Sequence, residues 1–249
     1  MNVKIGTCGW SVKGGRKEYY KYFNVIELQD TFYRLPKLNT VKKWRSEAPE
    51  NFEFTLKAWQ TMTHTPKSPT WRKNNIKVKK EDFKKYGFFR PTNEVFSAWE
   101  KFRENAKMLN AKIIVFQTPP SFKCTRENIN NMKEFFNSID RNKFILCWEP
   151  RGNWYENENI LKQVLENLNL VHVVDILKRK PLVYRNILYF RMHGLGKGEV
   201  NYRYKYNDQD LQKIKNIIFS LQHEVREVYV MFNNIFMFHD ALRLKKMLS

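Results

Sequence analysis

Two patterns of hydrophobic and polar positions alternate along this chain, short apolar runs and longer amphipathic segments. Short apolar runs are typical of buried parallel strands, whereas the longer segments repeat apolar residues at helical spacing. Eight runs are predicted to be strands: Val3–Cys8, Val25–Leu28, Phe52–Lys57, Lys112–Gln117, Phe144–Glu149, Leu170–Asp175, Ile187–Arg191 and Glu227–Phe232.

The clearest helix is predicted over Asn93–Leu109, and Thr92 is placed to cap its first turn. Five more are predicted at Thr40–Glu47, Glu127–Ile139, Glu158–Leu168, Asp208–Leu221 and His239–Leu248. Strands and helices that alternate in this way favour an α/β fold of the (β/α)8 TIM-barrel type, with a doubly wound open sheet as the alternative. The connections after the first and sixth strands are short, so we expect an irregular barrel. The absence of a Pro- or Gly-rich linker indicates a single domain over residues 1–249.

The carboxyl end of nearly every predicted strand carries a polar or ionisable residue. In barrels of this type those ends face the active site. The residues at these positions are Trp10, Glu27, Lys57, Gln117, Glu149, Asp175, Arg191 with His193, and Asn233. Because surface solvation would explain only a few of them, we expect Glu27 to point into a shared pocket. We predict that Glu27, Lys57, Glu149, Arg191 and His193 converge there.

Several motifs occur in a characteristic order along the whole chain. They are IGTCGW (5–10), VIELQDTFYRLP (25–36), W-x4-P-x2-F-x-F-x2-K (44–57), Thr63-His64, FQTPPSF (116–122), WEPRGNW (148–154), FRMHG (190–194) and YVMFNN (229–234). In these motifs the chain resembles the DUF72, or YecE-like, family of TIM-barrel proteins. The resemblance implies a barrel fold but no particular activity, since the function of that family is unknown.

The chain departs from the family pattern at two places. Cys8 stands where the family usually has Ser in its GTSGW motif, and the segment between Trp10 and Tyr19 looks shortened. Both differences alter the first loop of the expected pocket.

Four candidate catalytic residues carry groups that transfer protons or bind metals: Glu27, Glu149, Asp175 and His193. For each carboxylate the alternative is a structural ion pair with a nearby Arg or Lys. No motif such as His-Glu-x-x-His specifies a metal site. The cofactor is therefore unknown, although a divalent metal is compatible with these side chains.

Candidate substrate-binding residues offer cations, amides, glycine backbone or aromatic rings near the strand ends. They are Trp10, Tyr33, Lys57, His64, Gln117, Arg151, Arg191, Gly194, Tyr202, Asn233 and Asn234. Gly194 belongs to the loop HGLGKGEV, whose glycines would let backbone amides approach an anion, although a mobile loop needs the same glycines. His172 lies inside a predicted strand, which favours a structural role.

A net charge of +20 makes contact with polyanions plausible, although a solvated lysine-rich surface would give the same composition. The segment 66–90 carries nine Lys or Arg residues against two acids, interleaved with aromatic residues. Single-stranded nucleic acid needs this combination of charge for phosphates and rings for bases. The predicted contacts are Trp71, Lys79, Lys80, Lys84 and Lys85. The alternative is a solvated loop and helix whose aromatic side chains pack inward.

Three cysteines without metal-like spacing, a start without a signal-peptide pattern and the lack of a membrane-length apolar run predict a cytoplasmic protein. The leading hypothesis is a hydrolase that acts on an anionic, phosphate-containing substrate, with single-stranded DNA or RNA as a candidate. The alternatives are a glycoside- or small-metabolite-directed barrel enzyme and a non-catalytic nucleic-acid-binding protein. The oligomeric state is not indicated.

Overall fold

The computed structural model describes residues 1–248, in which eight parallel strands form a nearly closed barrel with helices between them. The strands are β1 (Asn2–Thr7), β2 (Val25–Leu28), β3 (Glu53–Lys57), β4 (Ile113–Gln117), β5 (Ile145–Glu149), β6 (Val171–Val174), β7 (Ile187–Met192) and β8 (Glu227–Phe232). Their order in the sheet is β1-β8-β7-β6-β5-β4-β3-β2. The predicted (β/α)8 fold is confirmed, and each predicted strand end is correct to within one residue.

Nine α-helices accompany the strands in the described part of the chain. They are α1 (Arg16–Tyr19), α2 (Asp30–Tyr33), α3 (Leu38–Glu47), α4 (Gln60–Thr63), α5 (Asn93–Met108), α6 (Arg126–Ser138), α7 (Glu158–Asn167), α8 (Asp208–Ser220) and α9 (Met237–Leu248). Short 3-10 helices lie at Pro69–Lys73, Lys80–Lys85 and Gly152–Glu156. The sequence pattern missed α1, α2 and α4 because four residues are too few to display a helical period. Within residues 1–248, every helix is too short or too polar to cross a membrane.

These elements group into two compact units. Unit 1 contains residues 1–27 and 47–53 together with the chain from residue 171 onward, and unit 2 contains residues 28–46 and 54–170. The proposal that residues 1–249 form a single domain remains a prediction.

In unit 1, β8 is paired with β1 on one side and with β7 on the other, and β7 is paired with β6. Gly6 on β1 allows the neighbouring chain to approach closely, because a Cβ atom there would lie 2.5 Å from the carbonyl oxygen of Val25. The connection between β6 and β7 has no helix in the described chain. The buried ring of His172 anchors it by accepting a hydrogen bond from the Leu182 amide at Nδ1, at 3.1 Å. The predicted short connection after the sixth strand is confirmed.

In unit 2, β4 is paired with both β3 and β5. Helix α5 begins as predicted, since Thr92 Oγ1 accepts a hydrogen bond from the Val95 amide. The core of the unit is rich in aromatic residues. Phe89 is fully buried and contacts the rings of Phe116 and Phe136, with centroid distances of 5.7 and 5.1 Å. Buried aromatic side chains of this size contribute strongly to stability.

Candidate functional site

An ion pair between Glu27 and Arg191 lies in the interior of unit 1. Both side chains have no exposed surface, and Arg191 Nη2 lies 2.9 Å from Glu27 Oε1. The Tyr189 hydroxyl donates to Glu27 Oε2 at 2.9 Å, and Arg191 Nη2 lies 3.9 Å from Cys8 Sγ. A buried strand can therefore carry a carboxylate next to its last residue here, because the charge is compensated by a guanidinium and a hydroxyl. This geometry favours a structural role for Glu27 and Arg191 over their predicted catalytic and substrate-binding roles.

Unit 1 also brings His193 together with Asp175, Asn233 and Tyr202. The backbone amide of His193 donates to Asp175 Oδ2 at 2.9 Å, while Asp175 Oδ1 accepts from the Leu177 amide at 3.2 Å. Asn233 Nδ2 lies 3.2 Å from His193 Nδ1, and Tyr202 faces the imidazole edge-on. The Asp175 carboxylate thus shapes the loops after β6 and β7, which favours a structural role over the predicted catalytic one.

The loop that begins at Gly194 is built for close packing. Its amide donates to the Tyr206 hydroxyl at 2.7 Å. A Cβ atom at Gly194 would lie 2.2 Å from the carbonyl oxygen of Asn201, and the φ angle of +83° also favours glycine. The amide that was predicted to bind an anion is engaged inside the protein, so Gly194 is better explained by packing.

Two further predicted contacts in unit 1 make packing or backbone interactions. Trp10 packs edge-on against the rings of Tyr19 and Tyr20, at centroid distances of 5.3 and 5.8 Å. Asn234 Nδ2 donates to the carbonyl oxygen of Tyr204 at 2.7 Å. Asn234 is buried, so this hydrogen bond explains the presence of an Asn at the position without a contact to substrate.

In unit 2, Lys57 and His64 both contact the Phe32 ring. The ammonium nitrogen of Lys57 is 3.9 Å from the ring centroid, a cation–π contact, and the imidazole of His64 meets the same ring edge-on at 5.0 Å. Thr63 Oγ1 lies 2.8 Å from His64 Nδ1. Burial, and secondarily the charge of Lys57, lower the pKa of His64 to about 3, so the imidazole is neutral at pH 7.

The buried neutral imidazole of His64 predicts a specific dependence of stability on pH. Between about pH 6.5 and 3 the unfolded chain binds a proton at His64 that the folded chain does not, so stability falls as the pH is lowered. Between pH 8 and pH 5 we expect the wild-type protein to lose about 2 kcal/mol more unfolding free energy than His64→Gln does. Urea denaturation at both pH values measures the difference. The exposed residue His223, changed to Gln, is the control, and an identical pH dependence for wild type and His64→Gln would contradict the prediction.

Glu149 and Arg151 form a second buried ion pair, at the end of β5. Glu149 is the register neighbour of Gln117 on β4, and its carbonyl oxygen accepts a hydrogen bond from the Thr118 amide at 3.1 Å. The ends of the two paired strands therefore place a carboxylate, a guanidinium and a carboxamide close together.

A cavity of about 790 Å³ opens beside Gln117 in unit 2, and we call it the basic pocket. Its cationic side chains are Lys67, Lys84 and Arg90, and its aromatic side chains are Phe83 and Phe88. The other lining residues are polar or proline: His64, Thr65, Ser68, Pro69, Gln117, Pro119, Pro120 and Ser121. None of the described residues that line this cavity is acidic. The basic pocket thus has the charge of an anion site.

Two predicted aromatic contacts have other partners in the structure. Trp71 is buried, its indole N–H donates to the carbonyl oxygen of His64 at 2.9 Å, and its ring packs edge-on against Tyr86. Trp71 therefore anchors segment 66–90 by packing in the interior, which favours a structural role over its predicted stacking on a base. Tyr33 is covered by Lys73, whose ammonium lies 4.7 Å from the ring centroid.

The four lysines predicted to contact nucleic acid differ in their surroundings. Lys79 and Lys85 each lie near an acidic side chain of the same segment, at 3.9 and 2.7 Å. Lys80 is exposed, and Lys84 lines the basic pocket. Of these four lysines, only Lys84 is among the described residues that line the basic pocket.

Sequence patterns did not identify Lys67, Arg90, Phe83 or Phe88 as site residues. Segment 66–90 was recognised by its composition, but it has no strand or helix period from which the orientation of each side chain could be predicted. The motif FQTPPSF was a second signal, since it contributes Gln117, with two prolines and a serine, to the same cavity.

The predicted site residues thus fall into two sets. Glu27, Arg191, Asp175, His193 and Asn233 belong to unit 1, whereas Lys57, His64, Gln117, Glu149 and Arg151 belong to unit 2. Their convergence on one pocket remains a prediction. Within residues 1–248, no three His, Cys, Asp or Glu side chains are grouped closely enough to hold a metal ion.

Comparison with known proteins relates this chain to relatives of similar length. YunF, a UPF0759 protein of Bacillus subtilis (strain 168), is 24% identical over 271 residues, which cover 93% of this chain and 88% of the relative. The crystal structure of a DUF72 family protein of Enterococcus faecalis V583 superposes with a TM-score of 0.73 at 21% identity, covering 99% of this chain and 97% of the other.

A more distant structural relative is endonuclease IV of Thermus thermophilus. It has a TM-score of 0.53 and 9% identity, and the match covers 98% of this chain and 99% of that protein. This likeness shows a shared fold. The family described as "Protein of unknown function DUF72" matches residues 4–249, and the chain therefore belongs to the DUF72 family.

Proposed function

We propose that this protein binds a phosphate-containing substrate in the basic pocket and hydrolyses its phosphoester bond. The observation that carries the proposal is the lining of that pocket, which combines three cationic side chains with two aromatic rings and has no acidic residue among its described lining. Charged donors favour phosphate, and apolar ring surface favours an organic group attached to it.

Arg90 illustrates why an anion would be stabilised in this pocket. Its guanidinium donates to the carbonyl oxygen of Tyr86 at 2.7 Å, and partial burial lowers its pKa. Arginine remains charged in spite of such a shift. A bound phosphate would offset the cost of removing this charge from water, and Lys67 and Lys84 would add to the attraction.

Glu149 does not line the basic pocket, but its register neighbour Gln117 does, and on that ground Glu149 is the candidate general base. A water oxygen attacks phosphorus and the ester P–O bond breaks, while the proton of the water passes through the Glu149 carboxylate to the departing oxygen. In this proposal Arg151 compensates the charge of the carboxylate and orients it. Gln117, the register neighbour of Glu149 and a lining residue of the basic pocket, would donate to a phosphoryl oxygen.

The resemblance to endonuclease IV does not determine the substrate, because at 9% identity it concerns the fold alone. A second candidate function is binding of nucleic acid without catalysis. It is favoured by the complete burial of Glu27 and its ion pair with Arg191, which leave fewer carboxylates for chemistry.

The binding half of the proposal is tested by neutralising the pocket cations. We expect the triple variant Lys67→Gln, Lys84→Gln, Arg90→Gln to bind a single-stranded oligonucleotide about 10- to 100-fold more weakly, which corresponds to roughly 1.4–2.8 kcal/mol for the set. The log–log salt dependence should also flatten by about 0.7 for each phosphate that the variant no longer neutralises. Fluorescence anisotropy over a salt series measures both quantities.

A matched triple variant distinguishes binding in the basic pocket from diffuse electrostatic attraction to the whole protein. Lys42, Lys162 and Lys213 are exposed on α3, α7 and α8, and their change to Gln lowers the net charge by the same amount. Equal losses of affinity in the two triple variants would contradict the proposal that the basic pocket binds the substrate. Cleavage of the oligonucleotide, or of a phosphomonoester, that disappears in Glu149→Gln supports hydrolysis. Binding without any cleavage would favour the non-catalytic alternative.

A further inference from the structure

Three consecutive residues beside the basic pocket have left-handed backbone conformations. The φ angles of Gly87, Phe88 and Phe89 are +73°, +58° and +52°. Glycine adopts such angles readily, but for a bulky residue each costs about 1–2 kcal/mol. Two successive phenylalanines in this conformation persist only where the surrounding structure holds them, and strain of this kind is concentrated at functional sites.

The strained residues are held by the chain around α4. The amides of Gly87, Phe88 and Phe89 donate to the carbonyl oxygens of Thr61, Thr63 and Met62, at 2.9, 3.3 and 2.8 Å respectively. Gly87 cannot be replaced without displacement, because a Cβ atom there would lie 2.4 Å from backbone atoms of His64.

The consequence of this conformation is that two adjacent phenylalanine rings have different environments. Phe89 is fully buried in the aromatic core of unit 2, whereas Phe88 lies in the wall of the basic pocket. The ring of Phe88 is supported by Phe122 at 5.3 Å between centroids, and the guanidinium carbon of Arg90 is 5.1 Å from its centroid. The guanidinium of Arg90 thus lies over a half-buried aromatic ring, so that a cation and a ring are held in contact in the wall of the pocket.

A nucleotide matches this arrangement, since it carries a planar aromatic base a short distance from a phosphate. Stacking of bases on aromatic side chains is a common mode of binding. The cavity of about 790 Å³ is also within the usual range for organic ligands, about 300–1,000 Å³, and far exceeds the needs of inorganic phosphate. A sugar phosphate would leave the ring of Phe88 without a planar partner.

We infer that the basic pocket binds a nucleotide whose base stacks on Phe88 and whose phosphate lies beside Arg90. This inference rests on the proposed phosphate-binding function and adds the class of substrate. The nucleotide is either free or one unit of a single strand, because both present the same base and phosphate.

Calorimetric titration with three ligands tests the inference: a nucleoside 5′-monophosphate, ribose 5-phosphate and inorganic phosphate. The wild-type protein should prefer the nucleotide. Phe88→Leu keeps apolar volume but removes the ring, so it should weaken nucleotide binding about 5- to 150-fold and leave ribose 5-phosphate binding unchanged. Phe88→Tyr should restore the preference. Phe219→Leu, at an exposed phenylalanine of α8, is the control.

The outcomes separate this inference from the function on which it rests. Equal affinities for nucleotide and ribose 5-phosphate overturn the nucleotide assignment and leave phosphate binding intact, whereas no binding of any of the three overturns both. If the Phe88→Leu protein does not fold, Phe83→Leu is used in its place, because Phe83 is the other aromatic residue that lines the pocket. If a short single strand binds more tightly than the monophosphate, and Phe88→Leu weakens the binding of both by the same factor, the ligand is a nucleotide unit of a strand. Equal affinities for the strand and the monophosphate identify the free nucleotide as the ligand.

Discussion

Arg191→Ala lowers the free energy of unfolding by about 3–5 kcal/mol, because it leaves the Glu27 carboxylate buried without its cation. Arg191 and Glu27 are both fully buried and lie 2.9 Å apart. The Tyr189 hydroxyl donates a hydrogen bond to Glu27, and a hydrogen bond does not compensate a full charge. Urea denaturation with a wild-type m-value measures this loss.

Two variants serve as controls for the Arg191 prediction. Arg16→Ala breaks the partly exposed pair with Glu47 and should cost about 1 kcal/mol or less. The double variant Glu27→Gln, Arg191→Met removes both charges and should lose less stability than Arg191→Ala, since neither partner is then left uncompensated. An Arg191→Ala protein with wild-type stability and weaker binding of inorganic phosphate would instead mean that the guanidinium binds substrate.

Gly87→Ala is expected to destabilise the protein by about 2–5 kcal/mol, which combines the left-handed backbone with overpacking. At this position φ is +73°, and the new methyl group would lie 2.4 Å from His64 backbone atoms. Displacement of Gly87 would also move Phe88, so affinity for the nucleotide should fall together with stability. Chemical denaturation and calorimetric titration measure the two effects.

Gly198→Ala is the matched control for Gly87→Ala. Gly198 has a similar φ of +84°, but a Cβ atom there would meet nothing within 4 Å. Its replacement should therefore cost only the backbone strain, about 1–2 kcal/mol. Equal costs for the two substitutions would contradict the view that close approach to residue 64 holds Phe88 in place.

The strands of this protein were predictable because their signal is local. A parallel strand in a barrel is buried on both faces, so it reads as a short apolar run whatever its neighbours are. The ends of these runs also identified Gln117 and Glu149, which the structure places next to each other. The four-residue helices were not predictable, since so short a segment contains only one turn.

The ion pair between Glu27 and Arg191 could not be predicted from the sequence. Glu27 and Arg191 were both recognised as residues at strand ends, but their contact depends on how distant strands are placed in unit 1. The same local pattern is compatible with a catalytic carboxylate and with a buried ion pair. Only the burial and the Tyr189 hydroxyl, which the fold supplies, favour the second.

The aromatic residues of segment 66–90 show the same division most clearly. Their composition, rings mixed with lysines, indicated an anion-binding region, and the basic pocket lies there. Trp71 was expected to stack on a base, but the carbonyl oxygen of His64 holds its indole in the interior. Phe88 and Phe89 are adjacent and chemically identical, and hydrogen bonds to residues 61–63 direct one ring into the pocket and the other into the core. Sequence by itself determined that this segment combines cations with aromatic rings, whereas tertiary structure decided which ring lines the basic pocket, because side-chain direction depends on a backbone conformation held by distant partners.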